Sequence, residues 1–67
     1  MKELLTKYPS AYAIYDLGKY YGVGVQESFY LVDKETLEVA ETLLRYENRA
    51  IELIENAIPI WFAEDAD

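Results

Sequence analysis

Apolar and polar positions change their rhythm along this chain. From residue 11 to about residue 41 they tend to alternate, and beyond residue 45 they recur every three or four positions, so strands are followed by a helix. In the first region Tyr21, Val23 and Val25 fall on one side of an extended chain, Phe29 and Leu31 on one side of the next, and Leu37 and Val39 on one side of a third. Turn signals at Asp16-Leu17-Gly18-Lys19, Gln26-Glu27 and Asp33-Lys34-Glu35 separate them. The predicted strands lie near 11–15, 20–25, 28–33 and 36–41, joined as an antiparallel meander.

At about 100° per residue, Tyr46, Ala50, Ile51, Leu53, Ile54, Ala57 and Ile58 fall on one side of a helix, and Arg45, Asn48, Arg49, Glu52, Glu55 and Asn56 on the other. The predicted helix runs over 45–58 and stops before Pro59. A competing pattern, Leu37, Ala40, Leu44, Ile51, Ile54 and Ile58, also has helical spacing and would make 34–58 one long helix. At the N-terminus, Lys2 to Lys7 is read as a short helix with Leu4, Leu5 and Tyr8 facing inward, ended by Pro9. The expected fold is a small two-layer α+β domain over 1–67. In it an antiparallel β-meander of three to four strands packs against a C-terminal amphipathic helix, with a short N-terminal helix beside it. Residues 63–67 are expected to fray as an acidic tail.

Sixty-seven residues make one domain that buries only about 60% of its unfolded surface. The chain has no Cys and no His, so neither a disulfide nor the usual zinc site is available to strengthen it. Its seven tyrosines, two phenylalanines and one tryptophan supply large apolar bodies instead, suited to a thin core and to an interface alike. Absence of Cys suits a reducing compartment, and no apolar run is long enough to serve as an export signal or a membrane span, so a soluble cytoplasmic protein is expected.

Charge is divided unevenly. Residues 1–34 carry Lys2, Lys7, Lys19 and Lys34 against Glu3, Asp16, Glu27 and Asp33, whereas residues 35–67 carry nine acids against Arg45 and Arg49. The whole net charge of −7 therefore arises in the second half. Direct nucleic-acid binding is opposed by this balance, because phosphate contacts need a basic patch.

Catalytic chemistry has little to draw on. Ser10 and Ser28 lack a histidine to activate them and read as turn residues. Glu64, Asp65 and Asp67 lack the spacing of a calcium loop, and Gly18, Gly22 and Gly24 in GKYYGVG lack that of a phosphate loop. Those glycines read as a bend, a bulge, or a place where the helix or a partner approaches the sheet backbone closely. No catalytic residue, cofactor site or metal site is assigned, and no stretch carries a family motif.

What remains is the acidic surface. Acids at i, i+3 on a helix rise about 4.5 Å apart and acids at i, i+2 on a strand about 6.7 Å, against one phosphate per about 3.4 Å of each DNA strand. A continuous row of them would steer a basic cleft. The expectation is a non-enzymatic protein that binds a basic protein partner: a small inhibitor, of the kind phages and mobile elements encode, of a nucleic-acid-handling protein. Its contacts would be Glu38, Glu41, Glu47, Glu52 and Glu55. The alternative is an assembly module in which Trp61 and Phe62 close a homodimer.

Overall fold

The computed structural model describes residues 2–65. In chain order it contains α1 (Lys2–Lys7), β1 (Ala13–Asp16), β2 (Tyr20–Val25), β3 (Ser28–Asp33), β4 (Val39–Leu44), α2 (Asn48–Glu55), β5 (Ile58–Phe62) and a 3-10 turn (Ala63–Asp65). The strands form one five-stranded sheet in the order β4-β3-β2-β1-β5, every pairing antiparallel. The α+β class and the meander of β1 to β4 follow the sequence pattern; β5 was not expected. Because β4 and β5 occupy opposite edges, α2 has to carry the chain across one face of the sheet.

The alternating pattern gives the sheet two apolar faces, and each has its own helix. Ile14, Val23 and Val32 are fully buried with Leu4 of α1, and Leu5, Tyr8, Tyr21, Tyr30 and Trp61 pack around them. On the opposite face Phe29, Leu31 and Leu43 are buried with Ala50 of α2, flanked by Tyr15, Tyr20, Leu53 and Ile54. The expected two layers are therefore three, a helix lying on each side of the sheet. Among the described residues no helix is long and apolar enough to cross a membrane.

Local chemistry explains where the elements differ from the sequence pattern. The fourth strand begins at Val39 rather than at 36 because the Asp33 carboxylate accepts the Glu35 and Thr36 N–H groups (2.7 and 3.0 Å), which closes a turn. Leu37 leaves that turn at φ +62°, held there by packing on the α1 face and by the Tyr8 hydroxyl, which donates to its carbonyl (2.7 Å). The second helix is eight residues long rather than the span 45–58. Glu47 is extended, and its carboxylate accepts the Leu44 N–H (2.7 Å) instead of capping the helix, so Tyr46 stays outside. At the other end the Asn56 side-chain amide donates to the Glu52 carbonyl (2.9 Å), and the chain turns. Ile58, expected on the helix, is instead the first residue of β5, where β-branched and aromatic residues find a partner in the open edge of β1. Of the tail expected to fray, Ala63–Asp65 form a 3-10 turn whose Ala63 N–H donates to the Tyr12 carbonyl (2.9 Å), and residues 66 and 67 lie outside the described residues.

The glycines of β2 make room for rings. A Cβ at Gly22 would lie 2.4 Å from Cζ of Phe29, and one at Gly24 would lie 2.7 Å from Cζ of Tyr12. β2 pairs with β3 in unbroken register, so neither glycine marks a bulge. The close approach there is made neither by a helix nor by a partner but by the chain's own Phe29 and Tyr12 rings, which cover backbone that glycine would otherwise leave exposed.

Candidate functional site

The five carboxylates expected to form one acidic face are distributed by the fold. Glu41, on β4 opposite Leu31, points to the α2 face and pairs with Arg49 of α2. That hydrogen bond raises the Arg49 guanidinium's pKa, and the charges of Glu41 and Glu47 act in the same direction. Glu47 is held by the Leu44 N–H. Glu38 lies at the α1 side, where burial first and the Glu38 charge second push the Tyr8 hydroxyl's pKa up. Glu52 and Glu55 are exposed on α2, one helical turn apart, and make no ion pair among the described residues. Among the described residues Glu52 and Glu55 thus stand without an ion pair on α2, whereas Arg49 pairs with Glu41 and feels the charge of Glu47.

Trp61 and Phe62 are half-buried within the chain's own fold. Trp61 lies opposite Ile14 and packs on the α1-side core, while Phe62 lies opposite Ala13 with its ring edge-to-face with Tyr15 (centroids 5.8 Å, 84°). The apolar side chains that β5 turns outward are Ile58, 69% exposed, and Ile60. At the other edge Val39 and Leu44 are exposed, as are Tyr46 between β4 and α2 and Ile51 on α2.

Both sheet edges are blunted. β5 carries Pro59, which lacks an N–H, and its register with β1 shifts between Ile14 and Tyr15. Just past the end of β4 the Arg45 N–H donates to the Glu27 carbonyl (2.8 Å); by antiparallel alternation Leu44 then turns its own N–H to the open side, where the Glu47 carboxylate meets it.

One feature was not assigned from sequence. Tyr12, Ala13, Tyr15, Phe62, Ala63 and Glu64 line an open depression of about 410 Å³ where β1 meets β5. Tyr15 lies between the rings of Phe29 and Phe62, with centroids at 6.0 and 5.8 Å, and burial raises its hydroxyl's pKa. Tyr12, whose ring covers Gly24, has the Arg45 guanidinium 5.7 Å from its centroid, and its hydroxyl is the main cause of that group's raised pKa. Tyr12, just before β1, and Tyr15, within it, are three positions apart, and Phe62 is far away in sequence. Only the pairing of β5 with β1 brings them together.

Among the described residues no group of three or more acids is placed to hold a metal ion. Comparison of the chain with protein-family models, with curated proteins and with solved structures finds no match in any of the three.

Proposed function

We propose that this is a non-enzymatic binding protein that presents the outer side of α2 to a basic protein partner and acts as an inhibitor of a nucleic-acid-handling protein. The observation that carries the reading is the pair Glu52 and Glu55, exposed on a helix whose inner side is committed to the core through Ala50, Leu53 and Ile54. Two exposed carboxylates one turn apart on a short rigid helix suit a cationic surface, and the net charge of −7 favours encounter with a basic partner at low salt. Glu41, Glu47 and Glu38 are the flanks. The test is affinity capture from the native host at low and high salt, using the wild type and the Glu52→Lys/Glu55→Lys variant. A basic nucleic-acid-handling protein retained at low salt, released at high salt and lost with the variant is the expected result. Retention unchanged by charge reversal, or recovery of no basic protein, overturns it.

The exposed Ile58 and Ile60 favour a second reading, self-association through the β5 edge. Because Trp61 packs on the core, Ile58→Glu is a cleaner probe of it than truncation of Trp61. A dimer in sedimentation at micromolar concentration that Ile58→Glu abolishes would establish this reading, and a monomer would remove it.

A further inference from the structure

We propose that the depression walled by Tyr12, Tyr15 and Phe62, with Glu64 at its edge, is a binding site for an organic cation: an alkylammonium or guanidinium group. This deepens the reading above, since it names the kind of side chain a basic partner would insert, and it rests on that reading for its biological source.

The walls are aromatic, and Glu64 is the one charged residue among those that line the site. An aromatic ring attracts a cation through the negative potential of its face, and a carboxylate beside it adds direct charge attraction. The molecule already uses this interaction three times. Lys19 lies 5.9 Å from the Tyr20 centroid, Lys34 lies 5.2 Å from that of Tyr21, and Arg45 lies 5.7 Å from that of Tyr12. Arg45 already stands against the Tyr12 ring from outside the lining, so Tyr15 and Phe62, with the Glu64 carboxylate, are the components of the depression that no Lys or Arg of the lining occupies. Its volume of about 410 Å³ accommodates a trimethylammonium or guanidinium head with part of its alkyl stem.

Its walls are also held in place. Tyr15 is flanked by the rings of buried Phe29 and of Phe62. The 3-10 turn that carries Glu64 is tied to the Tyr12 carbonyl through the Ala63 N–H (2.9 Å). A cation entering the site would meet pre-formed walls, which lowers the ordering cost of binding.

The experiment is an NMR titration of the intact chain with choline and, in parallel, with 3,3-dimethylbutan-1-ol, which has the same shape and no charge. Choline should produce saturable shifts centred on Tyr12, Tyr15 and Phe62 and bind about 2- to 5-fold more tightly than the neutral isostere. Glu64→Gln should weaken choline about 2- to 5-fold and leave the isostere unchanged. Phe62→Leu keeps an apolar side chain and should reduce the preference for the cation. Equal binding of the two probes would make the site merely apolar and overturn the proposal, as would the absence of saturable shifts there.

A further arm with Nα-acetylarginine amide identifies the source. Tighter binding than choline points to a partner's side chain and weaker binding to a free small cation, and either outcome retains the organic cation as ligand. The two proposals fail separately. Glu52→Lys/Glu55→Lys should leave choline binding intact. Loss of the choline signal alone removes the site, whereas choline binding without capture of any basic protein removes the α2 reading.

Discussion

Replacing Gly22 with alanine should be the most damaging single-methyl change in the sheet. The new Cβ would stand 2.4 Å from Cζ of Phe29, with Cε1 and Cε2 at 3.0 and 3.2 Å, against a comfortable carbon–carbon separation of about 3.5–4.0 Å. The ring has little room to retreat, because Phe29 is 1% exposed, packs with Leu31, Leu43 and Ala50, and meets the Tyr15 ring at 6.0 Å. Overpacking of a filled core costs about 1–3 kcal/mol, and an overlap beyond 1 Å belongs at the upper end. Alanine recovers about 0.4–1 kcal/mol by restricting the unfolded chain.

The net loss is therefore about 2 kcal/mol, a large part of the roughly 3–10 kcal/mol expected for a chain of this length. At about 4–8 °C per kcal/mol, Tm should fall by about 8–16 °C. Thermal and urea denaturation followed by circular dichroism measures this, with the urea slope unchanged if the transition stays two-state. Phe29→Leu removes the obstructing ring, so in the Gly22→Ala background it should cost at least about 1 kcal/mol less than it does alone. A neutral or stabilising Gly22→Ala, or a coupling below about 0.5 kcal/mol, would refute the account of Gly22 as space for the Phe29 ring.

Three other measurements examine separate parts of the fold. Tyr8→Phe removes the hydroxyl that ties α1 to the Leu37 carbonyl and should cost about 1 kcal/mol, seen as a fall in Tm of about 4–8 °C; a fall below about 2 °C would show that water replaces the bond. Gln26, exposed at φ +54° in the β2–β3 turn, should become more stable as glycine by about 0.5–1 kcal/mol, and a loss of stability in urea would contradict the backbone argument. Backbone N–H groups of Thr36 and Glu35 hold the Asp33 carboxyl below its ordinary pKa. Its stabilisation is therefore fully present above about pH 4 and lost as pH falls through the folded-state value, so the stability gap between wild type and Asp33→Ala should close on acidification. A gap that stays constant down to pH 2 would refute it.

The candidate sites were unequally legible in the sequence. Glu52 and Glu55 could be placed outward because helical spacing sets the side opposite Ala50 and Leu53. Glu38, Glu41 and Glu47 could not be grouped with them, because their surroundings depend on a turn that shifts β4, on Arg49 crossing to Glu41, and on the Leu44 N–H needing an acceptor. The aromatic depression had a weak signal in Tyr12 and Tyr15, and its third wall came from the far end of the chain. Nothing local links Phe62 to Ala13.

By itself the sequence determined the short-range order of this protein. Pro9 ended α1, turn residues separated β1 to β3, and period-two alternation put Tyr21, Val23 and Val25 on one side of β2 and Phe29 and Leu31 on one side of β3, since each of these follows from backbone sterics within a few residues; that the two sets face opposite ways was left to the register of β2 on β3. Only the tertiary structure decided that Ile58–Phe62 become a fifth strand, that α1 and α2 lie on different faces, and that two glycines exist to receive Phe29 and Tyr12. The reason is that an apolar segment such as IPIWF suits a strand edge, a helix end or a loose clamp about equally. The choice was made by the unpaired edge of β1, whose backbone groups needed hydrogen-bond partners that only residues some 45 positions later could bring.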